Sequence, residues 1–388
     1  MIMTVYILGG ARTPQGSFLG TLSNVSAPKL GATAIEGAIK NSNVDKTQID
    51  EVFMGNVVQA GVGQAPARQA TLFAGLGENV PATTINKVCG SGMQSMILGA
   101  RTVLTNENDL VVCGGMENMS MAPHMLMNSR GGHKFGSAEM KDAMQWDGLW
   151  DVYSDQPMGN CAEECTTEFQ MTREEQDAYA TESFKRAQKA QAEGIFKSEI
   201  APVTIKTRKG DIVVSEDEGP GKVKFDKMAS LRPAFKKDGT ITAANASTIN
   251  DGACALILGS EKYKDQAKFK IRSWSNHAQN PTWFTTAPIE AIKKNLEKEN
   301  LKVSDIDLWE INEAFAAVSM ASIKKLELDP VKVNIYGGGV SLGHPIGTSG
   351  ARIVLSLMNA LERNNKKLGL AAICIGGGEA LSVIVERL

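Results

Sequence analysis

The chain contains 388 residues, which at about 150 residues per domain predicts two or three domains with enough material for a large core. Lysine and arginine number 41 and aspartate and glutamate 43, so the net charge of −2 excludes a general attraction to nucleic acid or to an anionic membrane. No apolar run reaches the roughly 18 to 20 residues that cross a bilayer. The six cysteines contain no Cys-x-x-Cys pair, which predicts reduced thiols in a cytoplasmic protein.

The first predicted elements alternate between short apolar strands and helices. Residues 1–10 predict a buried strand that ends in a glycine turn, and they are too short and too poor in basic residues for a signal peptide. Residues 50–55 and 109–115 predict two further strands, with a helix at 94–105 between them. Strands that alternate with helices predict an α/β fold with a largely parallel sheet, buried on both faces.

The middle of the chain, residues 118–243, interrupts this alternation and predicts an inserted domain of helices and loops. Its clearest helix begins with Thr172 as the N-cap and ends at Gly194. A methionine-rich stretch at 119–136 and a charged stretch at 206–237 predict surface loops.

The pattern of elements occurs twice, with an offset of about 250 to 260 residues. Three segments have counterparts: 44–52 with 303–309, 110–115 with 370–377, and the glycine-rich turn at 89–92 with that at 337–350. In both halves the glycine-rich turn opens a helix. We therefore predict that the chain contains a duplicated α/β unit.

Cys89 is the first candidate for chemistry, because it lies where a helix begins and is followed by small residues. Backbone N–H groups and the positive end of the helix dipole stabilise a thiolate at such a position. The neighbouring glycines would let a substrate approach the sulfur. A small buried structural cysteine is the alternative, and the local sequence leaves both possibilities open.

His344 is one of only four histidines, and it lies between Gly343 and Pro345 in a turn before a helix. A phosphate-binding loop is one alternative at a helix N-terminus, but no Gly-x-Gly-x-x-Gly between a strand and a helix and no Walker lysine accompanies it. A structural histidine with satisfied hydrogen bonds is the other alternative.

Cys374 and Asn312 follow predicted strands, and strand ends are where α/β proteins place chemistry. An asparagine there can orient a water or donate to an oxyanion. A core thiol and a helix N-cap are the structural alternatives. Metal ligands could also be sought among two histidines and two cysteines: His124, His133, Cys161 and Cys165. Their spacing matches no zinc-binding pattern, so a metal is not expected.

Four motifs, taken together and in their order along the chain, indicate a protein family far more specifically than each motif alone. They are Val-Cys-Gly-Ser-Gly at 88–92, Asn-Glu-Ala-Phe-Ala at 312–316, Gly-His-Pro-Ile-Gly-x-Ser-Gly-Ala-Arg at 343–352 and Cys-Ile-Gly-Gly-Gly-Glu at 374–379. With them the chain resembles the thiolase family over essentially its whole length. The resemblance implies two duplicated α/β halves in five α-β-α-β-α layers, with an inserted loop domain.

The same resemblance divides the chain into three parts. The N-terminal half comprises residues 1–117 and 244–268, and the C-terminal half comprises residues 269–388. The loop domain between them, residues 118–243, is expected to bind CoA and to contribute a tetramer contact. The expected assembly is a dimer of dimers in which residues 119–136 form the contact.

The resemblance implies a reversible Claisen condensation of two acetyl-CoA to acetoacetyl-CoA and CoA, with Cys89 carrying the acetyl group as a thioester. His344 would activate Cys89 and, with a water held by Asn312, stabilise the enolate oxygen. Cys374 would act as the acid and base at the α-carbon, and the N–H groups of Cys89 and Gly376 would stabilise the tetrahedral intermediate. CoA and acetyl-CoA are substrates, so no cofactor is expected.

The CoA contacts implied by the resemblance are Leu149, Met158, Phe235, Ser247 and Phe315. The chain departs from the short-chain members at two places. Pro157 stands where they usually have a histidine, and lysines of residues 218–224 stand where an arginine often meets the CoA nucleotide. The chain nevertheless follows the short-chain members at 116–122, 232–235 and 343–352, and this resemblance implies a preference for acetoacetyl-CoA. Such a preference requires bulky side chains that close the acyl pocket, and the candidates are Met119, Met158 and Phe284.

Several other functions remain open at this point. A broad-range 3-ketoacyl-CoA thiolase of fatty-acid β-oxidation would use the same residues with a wider acyl pocket. A ketosynthase is disfavoured because it would have His or Asn in place of Cys374, and a papain-like hydrolase because Asn312 precedes His344. A non-catalytic CoA or lipid carrier of the same fold would be favoured if a catalytic residue were missing. It is disfavoured because all four catalytic side chains are present: Cys89, Asn312, His344 and Cys374.

Overall fold

The structure, a computed structural model, describes residues 4–388. The first predicted strand is observed from Val5 to Arg12, and residues 1–3 of that prediction lie outside the described residues. Before the middle segment the elements are β1 (Val5–Arg12), β2 (Gly16–Ser17), α1 (Ala27–Ser42), β3 (Glu51–Gly55), α2 (Pro66–Phe73), β4 (Ala82–Ile85), α3 (Ser91–Leu104) and β5 (Leu110–Asn118).

The middle segment lies between β5 and the next strand of the main sheet. Its elements are β6 (His124–Leu126), β7 (Met140–Asp142), α4 (Ala143–Gly148), β8 (Trp150–Asp151), β9 (Gln156–Pro157), α5 (Met158–Glu168), α6 (Arg173–Ala192), β10 (Val203–Thr207), β11 (Gly210–Val214) and α7 (Phe225–Met228). The predicted N-cap is confirmed, since the Thr172 side chain accepts from the Glu175 N–H and Glu175 completes a capping box.

The remainder of the chain returns to the main sheet and builds the second half. Its elements are β12 (Asn250–Gly259), β13 (Phe269–Ala278), α8 (Ala287–Lys298), β14 (Leu308–Ile311), α9 (Ala316–Leu326), α10 (Gly339–Leu342), α11 (Ile346–Arg363), β15 (Leu368–Ile375) and β16 (Glu379–Arg387). Among residues 4–388, no helix is both long and apolar enough to span a bilayer.

The main sheet has the strand order β14-β15-β16-β13-β1-β12-β5-β3-β4, with β2 also paired to β12. Only β3–β4, β3–β5 and β14–β15 pair in parallel, so the prediction of a largely parallel sheet is wrong. Strand–helix alternation holds from β3 to β5. However, β16 returns from β15 through Gly377 and Gly378, both at positive φ, and strands joined by such a tight turn pair antiparallel.

The duplication is confirmed by the order of strands within each half. The first half runs β4-β3-β5-β12-β1 and the second runs β14-β15-β16-β13, and β1 and β13 join them. In the second half, an isolated parallel bridge between Trp309 of β14 and Val333 occupies the position that β4 has beside β3 in the first half. The helices α3 and α11, which follow the two glycine-rich turns, pack against each other.

The layers follow from the two buried faces of each half-sheet. In β5, Val111 and Cys113 face the central helices α3 and α11, whereas Leu110 and Val112 face α1 and α2. On the other side, α8 and α9 cover the outer face of β14 to β16. The resulting order is helix, sheet, helix, sheet, helix. The prediction that the sheet is buried on both faces is therefore confirmed.

Buried ion pairs attach the middle segment to β1. The Arg12 guanidinium is fully buried and lies 2.6 Å from Glu199 and 2.7 Å from Asp217. Removing one partner of such a pair would leave a buried charge without compensation. The contact therefore holds the middle segment in place beside the first half.

Candidate active site

A cavity of about 240 Å³ brings together residues from both halves and from the middle segment. Cys89, His344 and Gly376, three of the predicted catalytic residues, line it. All of the predicted CoA contacts line it as well: Leu149, Met158, Phe235, Ser247 and Phe315. Met119 and Phe284 also form part of its wall. The cavity is thus an apolar pocket with a few convergent polar groups, which is typical of a small-molecule site.

Cys89 lies in a strained turn directly before α3. The preceding residue, Val88, has a φ of 46°, and a β-branched side chain rarely adopts that left-handed conformation. The Ser91 hydroxyl donates to the Val88 carbonyl at 2.7 Å and accepts from the Lys87 N–H at 2.8 Å. These bonds hold the turn closed and direct Cys89 toward the cavity. Such strain is typical of functional sites.

The Cys89 turn packs directly on the loop that follows β15. A Cβ added to Gly90 would lie 2.4 Å from Ile375 Cδ1, so only glycine permits this approach. Lys87 and Glu379 form an ion pair across the same junction. The two turns, which belong to different halves of the chain, are therefore held against one another.

The Cys89 thiol accepts hydrogen bonds from its own backbone N–H and from that of Gly376, and both bonds lower its pKa. Burial outweighs them and raises the pKa of Cys89 to about 11. Cys89 is therefore a thiol at rest, although the start of the helix favours the thiolate. A base is needed to remove the thiol proton at neutral pH.

Iodoacetamide at neutral pH is expected to alkylate Cys89 faster than any other cysteine. Cys89 is partly exposed in the cavity, whereas Cys113 and Cys254 are fully buried, and burial raises their pKa values further. Because the pKa of Cys89 is near 11, the rate should rise with pH across the neutral and mildly alkaline range. Peptide mapping after brief labelling measures this, and equal labelling of Cys113 or Cys254 would contradict it.

His344 is held through both ring nitrogens. Its Nδ1 lies 2.5 Å from the Ser349 Oγ, and its Nε2 lies 3.5 Å from the Asn312 Nδ2. Its backbone N–H donates to the Thr248 carbonyl at 3.2 Å and to Asn250 Oδ1 at 3.3 Å. Burial and the positive charge of Arg352 lower the pKa of His344 to about 3, so the imidazole is neutral in the resting site.

Asn312 lies behind the cavity wall, at the end of β14, where its N–H donates to the Ala372 carbonyl at 2.9 Å. Its side-chain Oδ1 is buried without a hydrogen-bond partner among residues 4–388. The next residue, Glu313, is tied down by Tyr179 at 3.0 Å and Ser183 at 2.8 Å. Asn312 is therefore a fixed side chain with a free acceptor, and a buried acceptor of this kind favours a bound water.

Cys374 lies in β15 and is fully buried beneath the cavity, in the apolar cluster that contains Cys165 and Phe315. Burial, followed by the neighbouring charge of ionised Cys89, raises its pKa well above the usual range. The two thiols therefore oppose each other's ionisation. The structure thus brings the predicted site residues together, with Asn312 and Cys374 behind the wall rather than in it.

Glu117 is a site residue to which the sequence assigned no role. Burial raises its pKa to about 7, and it accepts from the N–H groups of Val57 at 3.0 Å and Gly347 at 2.8 Å. It also accepts from Asn56 Nδ2 at 2.7 Å. Gly347 is in the first turn of α11, so Glu117 at the end of β5 fastens the His344 loop to the first half.

Residues 4–388 contain no group of three or more His, Cys, Asp or Glu side chains arranged to hold a metal ion. Cys161 and Cys165 are buried on α5, and His124 and His133 are exposed in the segment before it.

The comparisons with known proteins agree with the motifs. The chain matches the thiolase N-terminal domain over residues 5–262 and the thiolase C-terminal domain over residues 265–387. An acetyl-CoA acetyltransferase of Schizosaccharomyces pombe is 48% identical over 390 residues, which cover 99% of each chain. Acetyl-CoA acetyltransferase 2 of Arabidopsis thaliana is 49% identical over 391 residues, which cover 99% of this chain and 97% of the relative.

Solved structures give the same result. The Acat5 thiolase from Ascaris suum, in complex with coenzyme A, superposes with a TM-score of 0.94 at 44% identity, covering 99% of this chain and 100% of that one. The acetyl-CoA acetyltransferase of Bacillus anthracis superposes with a TM-score of 0.97 at 40% identity, covering 100% and 99%. The chain belongs to the thiolase family, and the predicted thiolase fold is confirmed.

Proposed function

We propose that this protein is an acetyl-CoA C-acetyltransferase, which condenses two acetyl-CoA to acetoacetyl-CoA and CoA and also runs the reverse thiolysis. The observation that carries the proposal is the single cavity in which the Cys89 thiol, the neutral His344 imidazole and the Gly376 N–H converge. Full-length relatives at 47% to 49% identity carry that name.

In the first half-reaction, Cys89 attacks the carbonyl carbon of acetyl-CoA. His344 removes the thiol proton, because the pKa of Cys89 lies too high for a thiolate to be abundant at neutral pH. When the tetrahedral intermediate collapses, the same proton passes to the departing CoA sulfur. The products are acetyl-Cys89 and CoA, and the new thioester is about as reactive as the one that was broken.

In the second half-reaction, Cys374 reacts as its thiolate and removes a proton from the methyl group of a second acetyl-CoA, which leaves Cys374 as a thiol. Because the charge of an ionised Cys89 would oppose ionisation of Cys374, the uncharged acetyl-Cys89 thioester favours the Cys374 thiolate over that state. The carbanion attacks acetyl-Cys89, a carbon–carbon bond forms and the Cys89 thiolate leaves. That thiolate then takes the proton from the Cys374 thiol, which restores the Cys89 thiol and the Cys374 thiolate.

Two oxygens acquire negative charge along this path. The N–H groups of Cys89 and Gly376, which already converge on the sulfur, lie where they can donate to the tetrahedral oxygen. A water on Asn312 Oδ1 can donate to the enolate oxygen, at a step where His344 Nε2 has already passed its proton to CoA. A preset donor of this kind contributes about 3 to 4 kcal/mol to the transition state.

The CoA moiety would extend from the catalytic cavity into a neighbouring one of about 290 Å³. Thr248 lines both cavities, which supports a path between them at that residue. The second cavity is lined by Lys222, Lys224 and Lys227, whose charges suit the CoA phosphates. Pro157 lies outside the lining of either cavity, so the absence of a histidine there leaves the proposed walls intact.

The acyl end of the cavity supports a preference for the four-carbon substrate. Met119 is only 2% exposed and packs with Val57 and Ile346, and Phe284 packs edge-on against Phe315 at 6.2 Å. Filled walls of this kind leave little room beyond an acetyl group. We therefore expect kcat/KM for thiolysis of acetoacetyl-CoA to exceed that for 3-ketohexanoyl-CoA by about a hundredfold.

The test measures thiolysis of both substrates by the wild-type protein and by Met119→Ala. Met119→Ala should reduce the difference in kcat/KM between the two substrates, because the smaller side chain admits the longer acyl chain. Met121→Ala is the matched control, because that neighbouring side chain is 52% exposed. Equal kcat/KM values in the wild-type protein would instead assign the chain to the broad-range 3-ketoacyl-CoA thiolases.

The assembly proposed is a dimer of dimers. Its support is the exposed apolar surface of the β6–β7 segment, where Met121, Leu126, Met127 and Met140 are each at least 40% exposed. The molecular mass at micromolar concentration should correspond to four chains, and a mass of two chains would contradict the proposed assembly.

We also propose that the protein is cytoplasmic, and the support is that its cysteines form no disulfides. The rat and mouse relatives, in contrast, are mitochondrial forms. We further propose that the reaction needs no cofactor.

A further inference from the structure

The His344 ring has two polar partners, and together they select one tautomer. Ser349 Oγ lies 2.5 Å from Nδ1 and Asn312 Nδ2 lies 3.5 Å from Nε2. A neutral imidazole carries one hydrogen, so one nitrogen donates and the other accepts. The tautomer therefore depends on which partner supplies a hydrogen.

The Ser349 hydroxyl has a single hydrogen, and that hydrogen is already used. Ser349 Oγ donates to the Pro345 carbonyl at 3.0 Å, a bond to the residue four positions earlier that serines in helices commonly make. Its oxygen can therefore only accept from His344, which requires the hydrogen on Nδ1. Ser349 is fully buried, so no solvent competes for this bond.

Asn312 leads to the same assignment from the other side of the ring. With its amide nitrogen toward Nε2, it donates to a nitrogen that carries no hydrogen. The opposite tautomer would require Asn312 to turn its oxygen to Nε2. It would also require Ser349 to turn its hydrogen from the Pro345 carbonyl to Nδ1, so the hydrogen bonds on both sides of the ring would have to change together.

We propose that Ser349 is a positioning residue that holds His344 in the Nδ1–H tautomer, so that Nε2 alone exchanges protons at the active site. The proposal rests on the function proposed above. When Cys89 is acylated, its S–H bond breaks, its electron pair stays on sulfur and the proton bonds to Nε2. The Nδ1–H bond to Ser349 is kept throughout, and the proton leaves from Nε2 to the CoA sulfur.

Solid-state ¹⁵N NMR of the protein labelled at histidine measures the tautomer directly and needs no substrate. The chain has only four histidines, and the spectrum of His344→Asn identifies the signals of His344 by difference. We expect a neutral ring with a protonated Nδ1 and an unprotonated Nε2. A protonated Nε2 in the resting protein would overturn the proposal, whatever the enzyme's activity.

Ser349→Ala removes the acceptor, and Ser356→Ala is the matched control. Ser356 is also a buried serine of α11, and its hydroxyl has no hydrogen-bond partner among residues 4–388. In Ser349→Ala we expect signals of both tautomers and about a tenfold fall in kcat and in the alkylation rate of Cys89, with little change in KM. Ser356→Ala should match the wild-type protein.

Wild-type tautomer signals and an unchanged alkylation rate in Ser349→Ala would overturn the positioning role. These readouts also separate the proposal from the proposed function. A protein that lacked acetyltransferase activity but showed the Nδ1–H signal, lost only in Ser349→Ala, would support the role of Ser349 and contradict the function.

Discussion

Replacing Cys374 with alanine is expected to leave acetyl transfer to Cys89 intact and to abolish carbon–carbon bond formation. The variant keeps the nucleophile, His344 and the two N–H donors of the cavity, so acetyl-CoA still acylates it. It lacks the group that removes the α-proton, and loss of a general base lowers a rate by about 10² to 10⁴-fold. Acetyl-enzyme formation and acetoacetyl-CoA formation are measured separately on the same sample.

Cys165→Ala is the matched control for this variant. Cys165 is a buried thiol in the same apolar cluster as Cys374, and it has no part in the proposed chemistry. It should condense acetyl-CoA at close to the wild-type rate. Near-normal condensation by Cys374→Ala would show that another group is the base.

Replacing Cys89 with alanine should abolish both half-reactions. No other cysteine can substitute, because the remaining thiols of the described residues are buried outside the cavity wall. Loss of a covalent nucleophile costs about 10⁴-fold or more in kcat. Retained binding of CoA, measured by calorimetry, would show that the variant is folded. Turnover above about one per cent of the wild-type rate would contradict a covalent role for Cys89.

The duplication could be predicted because the same local sequence patterns occur in the same order in both halves. The segments at 44–52 and 303–309 lead into β3 and β14, and the glycine-rich turns open α3 and α11. Each of these matches depends only on residues near one another in the chain. The direction of the strands could not be read in this way, because pairing between β12 and its neighbours joins residues more than a hundred positions apart.

Residues that meet at the cavity could be predicted from the four motifs, but their ionisation could not. Cys89 precedes a helix, which favours a thiolate, yet burial dominates and raises the pKa of Cys89 to about 11. Burial depends on Ile375, Met158 and other residues from distant parts of the chain that close over the turn. The left-handed conformation of Val88 likewise has no local signal, since valine disfavours it.

Ser349 and Glu117 contact the site, but the sequence analysis assigned a role to neither. Ser349 follows His344 by five positions, and a helix that begins at Ile346 returns its side chain to the imidazole. The motif contained this residue, but its role depends on the hydrogen bond to Pro345, which only the structure shows. Glu117 acts across the two halves and so has no signal in local spacing.

The most direct test of the central claim is to incubate the protein with acetyl-CoA alone, quench it in acid and locate the added mass by peptide mapping. We expect one acetyl group per chain, attached to Cys89 as a thioester that free CoA removes. We also expect a larger acetylated fraction in Cys374→Ala, because the next step is blocked. No acetylated peptide, or an acetyl group on Cys374 or another residue instead of Cys89, would show that Cys89 is not the nucleophile.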